Sequence, residues 1–330
     1  MTTKEWIELE QHVLLNTYAR PDFVISHGKG SYLYDTDGKQ YLDFVAGIAV
    51  CAFGHADEQS QQVLAQQAAK LWHCSNLYHT EPQVQLADFL VEHTFADKSF
   101  FCNSGTEAIE AAIKFARKWA RANKDENCIE IISMDRSFHG RTFGALSSTG
   151  QDSLKKDIEP LLPGFVFAEF NNIDSVKNKI SQNTCAILVE PVQGEGGIFP
   201  AKPEFLQALR DLCDEHNLLL MLDEIQCGFG RTGTFCAYEQ FDIRPDMMAS
   251  AKPIAAGLPL GAVLLTDDVA ETIQPGDHGT TFGGGPLASA VAYDVLSRIS
   301  EPALLAQVRE KGKYFYEQLL RLERESLHVL

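Results

Sequence analysis

The chain has 330 residues, 45% of them hydrophobic and 22% charged, enough for a large core and two domains. Its net charge of −17 excludes the basic patches that nucleic acid or an anionic membrane would require, and no apolar run approaches the ~20 residues of a membrane-spanning helix. The start, Met1-Thr2-Thr3-Lys4-Glu5-Trp6, carries no signal-peptide core, eight scattered cysteines without a C-x-x-C pair read as free thiols in a reducing cytoplasm, and ten histidines form no clustered metal-ligand set.

Residues 1–22 read as a short helix and an irregular arm. Two short alternating runs flank Thr36-Asp37-Gly38-Lys39 and predict a β-hairpin. Residues 47–55 are small and apolar and end Phe53-Gly54-His55. Helices are predicted near 58–72 and 82–94. The run Phe100-Phe101-Cys102 reads as a short strand, followed by Asn103-Ser104-Gly105-Thr106 and a helix. The apolar residues Ile109, Ala112, Ile113, Ala116, Trp119 and Ala120 fall on one helical face. Free N–H groups and hydroxyls at such a helix start suit an anion, although a Ser or Thr there is usually a plain N-cap.

The next strand covers 129–133 and leads to Phe138-His139-Gly140-Arg141. An aromatic beside a glycine and a cation suits a flat ligand and a carboxylate, although core packing and a surface ion pair are the commoner roles. Phe165 to Phe170 is a short apolar run. Thr184 to Val189 is a buried strand that ends Glu190-Pro191-Val192-Gln193-Gly194-Glu195. An amphipathic helix is predicted over 203–216.

The stretch that organises the chemistry follows. Leu218 to Leu222 is an apolar run of strand length, and it turns polar at Asp223-Glu224-Ile225-Gln226. Lys252 lies twenty-nine positions after Asp223, among Met, Ala and Ser. A carboxylate at the end of a buried strand sits where open α/β sheets bind ligands. A lysine with little water around it has a lowered pKa and an amine free to react with a carbonyl. Asp and Lys so arranged match pyridoxal phosphate, the Asp pairing the pyridinium nitrogen and the Lys bonding the aldehyde.

Gly228-Phe229-Gly230-Arg231-Thr232-Gly233 matches G-x-G-x-x-G. It lacks the strand immediately before it and the helix opening within it that a dinucleotide site needs. A strand over 262–265 follows, then the Gly-rich loop 277–286, which contains adjacent Thr280 and Thr281. Helices are predicted over 287–299 and 303–324, and His328-Val329-Leu330 reads as the start of a strand. Alternating strands and helices imply a mostly parallel sheet covered on both faces.

Seven segments carry a family resemblance: 41–50, 71–78, 101–108, 138–142, 222–226, 251–253 and 278–284. In their order and spacing they resemble the class III, or ω-amino-acid, aminotransferases of fold type I, most of all the branch that acts on acetylornithine. The resemblance implies an α/β enzyme with a mostly parallel large-domain sheet and a smaller second domain. Residues 1–46 would form an arm and part of the small domain, 47–286 the large cofactor-binding domain, and 287–330 helices leading to the small domain. Relatives continue for several dozen more residues, so the small domain is expected to be incomplete. A chain that binds the cofactor without turnover is then the alternative to an active enzyme.

By the same resemblance, Lys252 bonds the cofactor and moves the substrate proton, and Asp223 holds the pyridinium N–H. Phe138 and Ile225 cover the two ring faces, and Gln226 reaches the ring oxygen. Gly105 and Thr106 hold the phosphate by backbone N–H and hydroxyl, and Ser104 and Glu224 belong to the cofactor-binding set. Thr281 would serve the cofactor of a second subunit, which makes a homodimer the minimum active unit. Arg141 would clamp the substrate α-carboxylate, Thr280 and Glu195 would contact substrate, and Tyr18 would approach from the arm. Glu195 is expected to be unpaired, because its partner arginine in relatives lies in the segment beyond this chain's end. The implied reaction moves the terminal amine of N-acetylornithine to 2-oxoglutarate, as in arginine biosynthesis, with ornithine, succinylornithine and succinyldiaminopimelate as alternative donors. One departure is Gly285 where the family loop usually has Asn.

Overall fold

Residues 1–326 are described by a computed structural model. The N-terminal helix Thr3–Val13 starts at a capping box, in which Thr2 accepts the Glu5 N–H and the Glu5 carboxylate accepts the Thr2 N–H. Three short strands follow: β1 (Ile25–Lys29), β2 (Tyr32–Asp35) and β3 (Gln40–Leu42). They form one antiparallel sheet, so the hairpin expected at 36–39 gains a third strand on its outer side.

The apolar runs of the middle of the chain become β4 (Lys98–Cys102), β5 (Glu130–Met134), β6 (Phe165–Ala168) and β7 (Thr184–Val189). After the small ribbon of β8 (Val192–Gln193) and β9 (Phe199–Pro200) come β10 (Leu219–Asp223), β11 (Met247–Ser250) and β12 (Gly261–Leu265). Seven of these make one sheet in the order β4-β12-β11-β10-β7-β5-β6. All neighbours pair in parallel except β12, which runs antiparallel to both β11 and β4.

The central strands are buried along their whole length, which is why they read as continuous apolar runs rather than alternating ones. Alternation reappears in which core each residue joins. Leu220, Leu222 and Met248 enter one core, while Leu219, Met221 and Met247 enter the other with the helix Gly105–Asn123. All six apolar positions predicted on that helix are buried. Trp119 also satisfies its indole N–H by donating to Asp268 Oδ2 at 2.7 Å.

The helices predicted near 58–72 and 82–94 are Glu58–Ala68 and Glu81–His93, and the helix at 203–216 is Pro203–His216. Helix Pro286–Ile299 buries Val291, Val295, Leu296 and Ile299 in the same core as Leu220 and Leu222. It therefore packs with the large sheet. Helix Pro302–Glu325 follows, and the strand start expected at 328–330 lies outside the described residues. No described helix is long and apolar enough to cross a membrane. All eight cysteines are free, and six of them are buried.

Candidate active site

Parallel pairing brings the carboxyl ends of β5, β7, β10 and β11 to one edge of the sheet. β4, reversed twice through β12, ends there too. The residues just beyond these ends enclose a cavity of about 410 Å³. β4 supplies Ser104, Gly105 and Thr106; β5 leads to Phe138, His139 and Arg141; β7 leads to Glu190 and Glu195. β10 supplies Asp223, Ile225 and Gln226, and β11 leads to Lys252. Sites at strand carboxyl ends are the rule for such sheets, and the volume is that of a small-molecule pocket.

Asp223 is buried at the cavity floor. Its Oδ2 lies 2.7 Å from His139 Nδ1, and its Oδ1 accepts the Ile225 N–H at 3.0 Å. Because a carboxylate only accepts, the His139 Nδ1 proton is assigned to this contact. Behind the ring, Ser133 Oγ lies 3.3 Å from His139 Nε2 and donates its own proton to the Ser148 carbonyl at 2.6 Å. Glu190, also buried, accepts the N–H groups of Phe138 and Gly194 at 3.2 and 3.3 Å. Its carboxyl is pushed above its ordinary value by burial, with the Asp223 charge adding to the rise and His139 opposing it.

Lys252 Nζ donates to Gln226 Oε1. Burial pushes this amine below the ordinary lysine value, against the opposing pull of Asp223, Glu195 and Glu190. The Lys252 backbone has φ +30°, a conformation that side-chain-bearing residues avoid. Strain of this kind clusters at functional sites.

The helix Gly105–Asn123 points its N-terminus into the cavity. Ser104 caps it by accepting the Glu107 N–H, and the N–H groups of Gly105 and Thr106 make no hydrogen bond among the described residues. These two donors, with the helix dipole behind them, form an anion cradle. The Thr106 hydroxyl oxygen accepts the N–H groups of Arg141 and Thr142, both at 3.2 Å, and pairs with Thr142 Oγ1 at 2.9 Å. It therefore also holds the Arg141 loop. Gly140 is required beside it: its φ is +131°, and a Cβ there would collide with the Thr106 hydroxyl. Gly105 is required for a different reason, since a Cβ would come within 2.8 Å of Ile225 Cδ1.

Arg141 and Glu195 both line the cavity, and the Arg141 guanidinium lies 5.7 Å from the Phe138 ring centroid. No cation pairs with Glu195 among the described residues. Within this chain, four other residues of the expected set lie outside this cavity. Glu224 is turned away from the cavity, and its two oxygens accept the N–H groups of Ala237 and Tyr238 at 2.7 Å each, so it braces the following loop. Thr280 and Thr281 lie in a separate cleft with Phe100, His278 and Phe282, where Thr280 Oγ1 accepts from Asn103 and Gly283. Tyr18 lines a groove of the N-terminal arm and not this cavity. Sequence reasoning overlooked His139, Glu190 and Val50, all of which line the cavity. Glu190 directly follows the end of β7 and His139 lies in the loop after β5, next to Phe138, the one signal that could have found them.

The family model for class III aminotransferases matches residues 16–330. The chain belongs to the class III aminotransferases. Within this family it is 50% identical over 327 residues to a probable mitochondrial acetylornithine aminotransferase of Dictyostelium discoideum, covering 97% of this chain and 72% of that protein. It is 46% identical over 321 residues to a succinylornithine transaminase of Photorhabdus laumondii, covering 97% and 79%. Among solved structures, a Toxoplasma gondii ornithine aminotransferase with partial pyridoxal phosphate occupancy superposes with a TM-score of 0.93 at 32% identity, covering 99% and 77%. This class III aminotransferase has the fold type I α/β architecture and takes pyridoxal phosphate as cofactor. The cavity fits that cofactor: it offers a buried carboxylate backed by a donor, a reactive amine and two free N–H groups at a helix start.

Proposed function

We propose that this aminotransferase moves the terminal amine of N-acetylornithine to 2-oxoglutarate, giving N-acetylglutamate 5-semialdehyde and glutamate, as in arginine biosynthesis. The observation that carries the chemistry is Asp223 and Lys252 on one cavity with the free N–H groups of Gly105 and Thr106. The similarity to proteins named for acetylornithine supports the donor, and the similarity to a succinylornithine transaminase keeps that longer acyl group as the second reading.

When bound, pyridoxal phosphate supplies an aldehyde for the amine and a ring that takes up the electron pair left as the C–H bond breaks. The chain's own residues do the rest. Gly105 and Thr106 hold the phosphate by N–H. Asp223, oriented by His139 and Ile225, would hold the pyridine nitrogen. Phe138 and Ile225 pack the ring. Gln226, already bonded to Lys252, is placed to reach the ring oxygen. Lys252 Nζ, its pKa lowered by burial, would take the proton from the substrate carbon that bears the amine and deliver it to the cofactor's aldehyde carbon. Arg141 receives the α-carboxylate of each substrate in turn, as a ping-pong cycle requires.

A homodimer completes the site in this reading. Thr281 is exposed beside Phe282, and Phe44, Leu77 and Tyr78 are large apolar side chains open to solvent. A second copy would cover them and receive Thr281 at its own phosphate. The free thiols suit a reducing compartment such as the cytoplasm. The test is a comparison of kcat/KM for N-acetylornithine, N-succinylornithine, ornithine and succinyldiaminopimelate, each with 2-oxoglutarate. N-acetylornithine is expected to lead by about tenfold, ~1.4 kcal/mol of selectivity. A lead by ornithine would overturn the donor assignment, and no turnover with any of them would overturn the reaction.

A further inference from the structure

Residues 46–49 form a left-handed helical turn. Their φ values are +49°, +66°, +63° and +62°, and only Gly47 lacks a side chain. L residues avoid this conformation, and a β-branched residue such as Ile48 most of all. Such a turn persists only where its surroundings hold it. Inside it, Val50 N–H donates to the Ala46 carbonyl at 2.8 Å and Ala49 N–H to the Val45 carbonyl at 2.9 Å. At its start, Asp43 Oδ1 accepts the N–H groups of Val45 and Ala46. Asp43 is itself fixed by His55 at 2.6 Å.

The end of the turn is held from far along the chain. Arg231 Nη2 donates to the Ala49 carbonyl at 2.8 Å. Arg231 belongs to the Gly228–Gly233 loop, whose glycine pattern serves no dinucleotide. Phe229, Gly230 and Gly233 all have positive φ, and Gly230 N–H donates to the Phe235 carbonyl at 3.0 Å. The glycines make a tight loop with Arg231 at its tip. Arg231 has no carboxylate partner among the described residues, so its contact with Ala49 is not incidental to an ion pair. The next residue after the turn, Val50, lines the cavity with Lys252, and the turn packs against residues 252–255.

We propose that Arg231 is a positioning residue of the active site: its guanidinium locks the end of the left-handed turn and thereby fixes Val50 in the cavity wall beside Lys252. The same cation opposes the charge on Lys252 and adds to the effect of burial on that amine. The inference rests on the transaminase reading only in taking Lys252 as the reacting amine.

The test compares holoenzyme with its Arg231→Gln and Arg231→Lys variants by amide hydrogen exchange and steady-state kinetics. In Arg231→Gln, exchange at Ala49, Val50 and Cys51 is expected to rise about tenfold or more while Leu220 and Leu222 of β10 stay protected. KM for the amine donor is expected to rise about tenfold with kcat within about threefold, since the wall of the pocket is loosened and the reacting groups are kept. Arg231→Lys, which restores a donor to Ala49, recovers most of the protection. Unchanged exchange at 49–51 overturns the proposal, as does faster exchange spread equally over β10 or a turn that loosens without any change in KM. Exchange is read without turnover, so failure of the anchor and failure of the proposed reaction are separate results.

Discussion

His139→Leu tests the cavity floor most directly. In the native protein the Nδ1–H···Oδ2 contact is 2.7 Å long, inside a site where Asp223 is 4% exposed. Leucine removes that donor and leaves Asp223 with the Ile225 N–H at 3.0 Å. A charge-assisted hydrogen bond to a buried carboxylate is worth about 1.5–3 kcal/mol, so kcat/KM for the amine donor should fall by about 10- to 150-fold. Pyridoxal phosphate affinity should weaken in parallel, because the carboxylate that would face the ring nitrogen loses one of the two hydrogen bonds that orient it. Asparagine is the control: its Nδ2 occupies nearly the place of the imidazole Nδ1, so His139→Asn should recover to within about fivefold of wild type. The assay is single-turnover kinetics of the amine half-reaction together with a cofactor binding titration, with thermal unfolding to confirm the fold. Leucine within twofold of wild type in both would refute the role assigned to the contact. Asparagine no better than leucine would show that the imidazole acts by packing alone.

Lys252→Met should cut turnover by at least about 10³-fold and abolish the visible absorbance of the bound cofactor. The same variant has a stability signature in the apoprotein. Burial lowers the native amine below the ordinary value near 10.4, so the unfolded chain binds more protons and the native protein gains stability as pH rises through that interval. Methionine should therefore raise Tm at pH 7, and its advantage should shrink toward pH 10. Glu224→Gln should cost about 1–3 kcal/mol in denaturant unfolding, since both carboxylate oxygens accept backbone N–H groups. It should leave kcat of the folded enzyme unchanged, and a large fall in kcat with normal stability would return Glu224 to the cofactor site. Asp57 caps the helix Glu58–Ala68 and is gripped by Arg298 at 2.7 and 2.9 Å, which holds its carboxyl well below the usual carboxylate range. Asp57→Asn keeps the cap and removes the charge, and should cost about 1–3 kcal/mol at pH 7. That cost should diminish as pH falls below the ordinary carboxylate value, because the native carboxylate stabilises only where the unfolded one is ionised. Urea midpoints at pH 7 and pH 3 decide it.

Much of this architecture is legible in one dimension because it depends on burial and period. A strand buried on both faces needs a continuous apolar run, and Leu218 to Leu222 and Thr184 to Val189 supply it. A helix against a sheet needs one apolar face, and residues 109–120 show it. The ends of those runs then mark Asp223, the helix start at Ser104 and the loop of Phe138 as neighbours, because parallel strands place all their carboxyl ends on one edge. Lys252 was found through its apolar surroundings, which are local in sequence.

What stayed hidden depends on partners far apart in the chain. Thr106 reads as an anion ligand alone until its hydroxyl is seen to hold the Arg141 loop as well, and Glu224 reads as part of the site until its oxygens are seen on Ala237 and Tyr238. Nothing in Ala46-Gly47-Ile48-Ala49 announces a left-handed turn, since its local cost is met by Asp43 at one end and Arg231 at the other. The layers, the edge of the sheet that carries the chemistry and the Asp–Lys pair follow from the order of the residues, because solvent exclusion acts on each segment separately. Which polar groups are free to meet a ligand emerges in the folded chain, because a hydrogen-bonding group can be assigned only when its partner is in place.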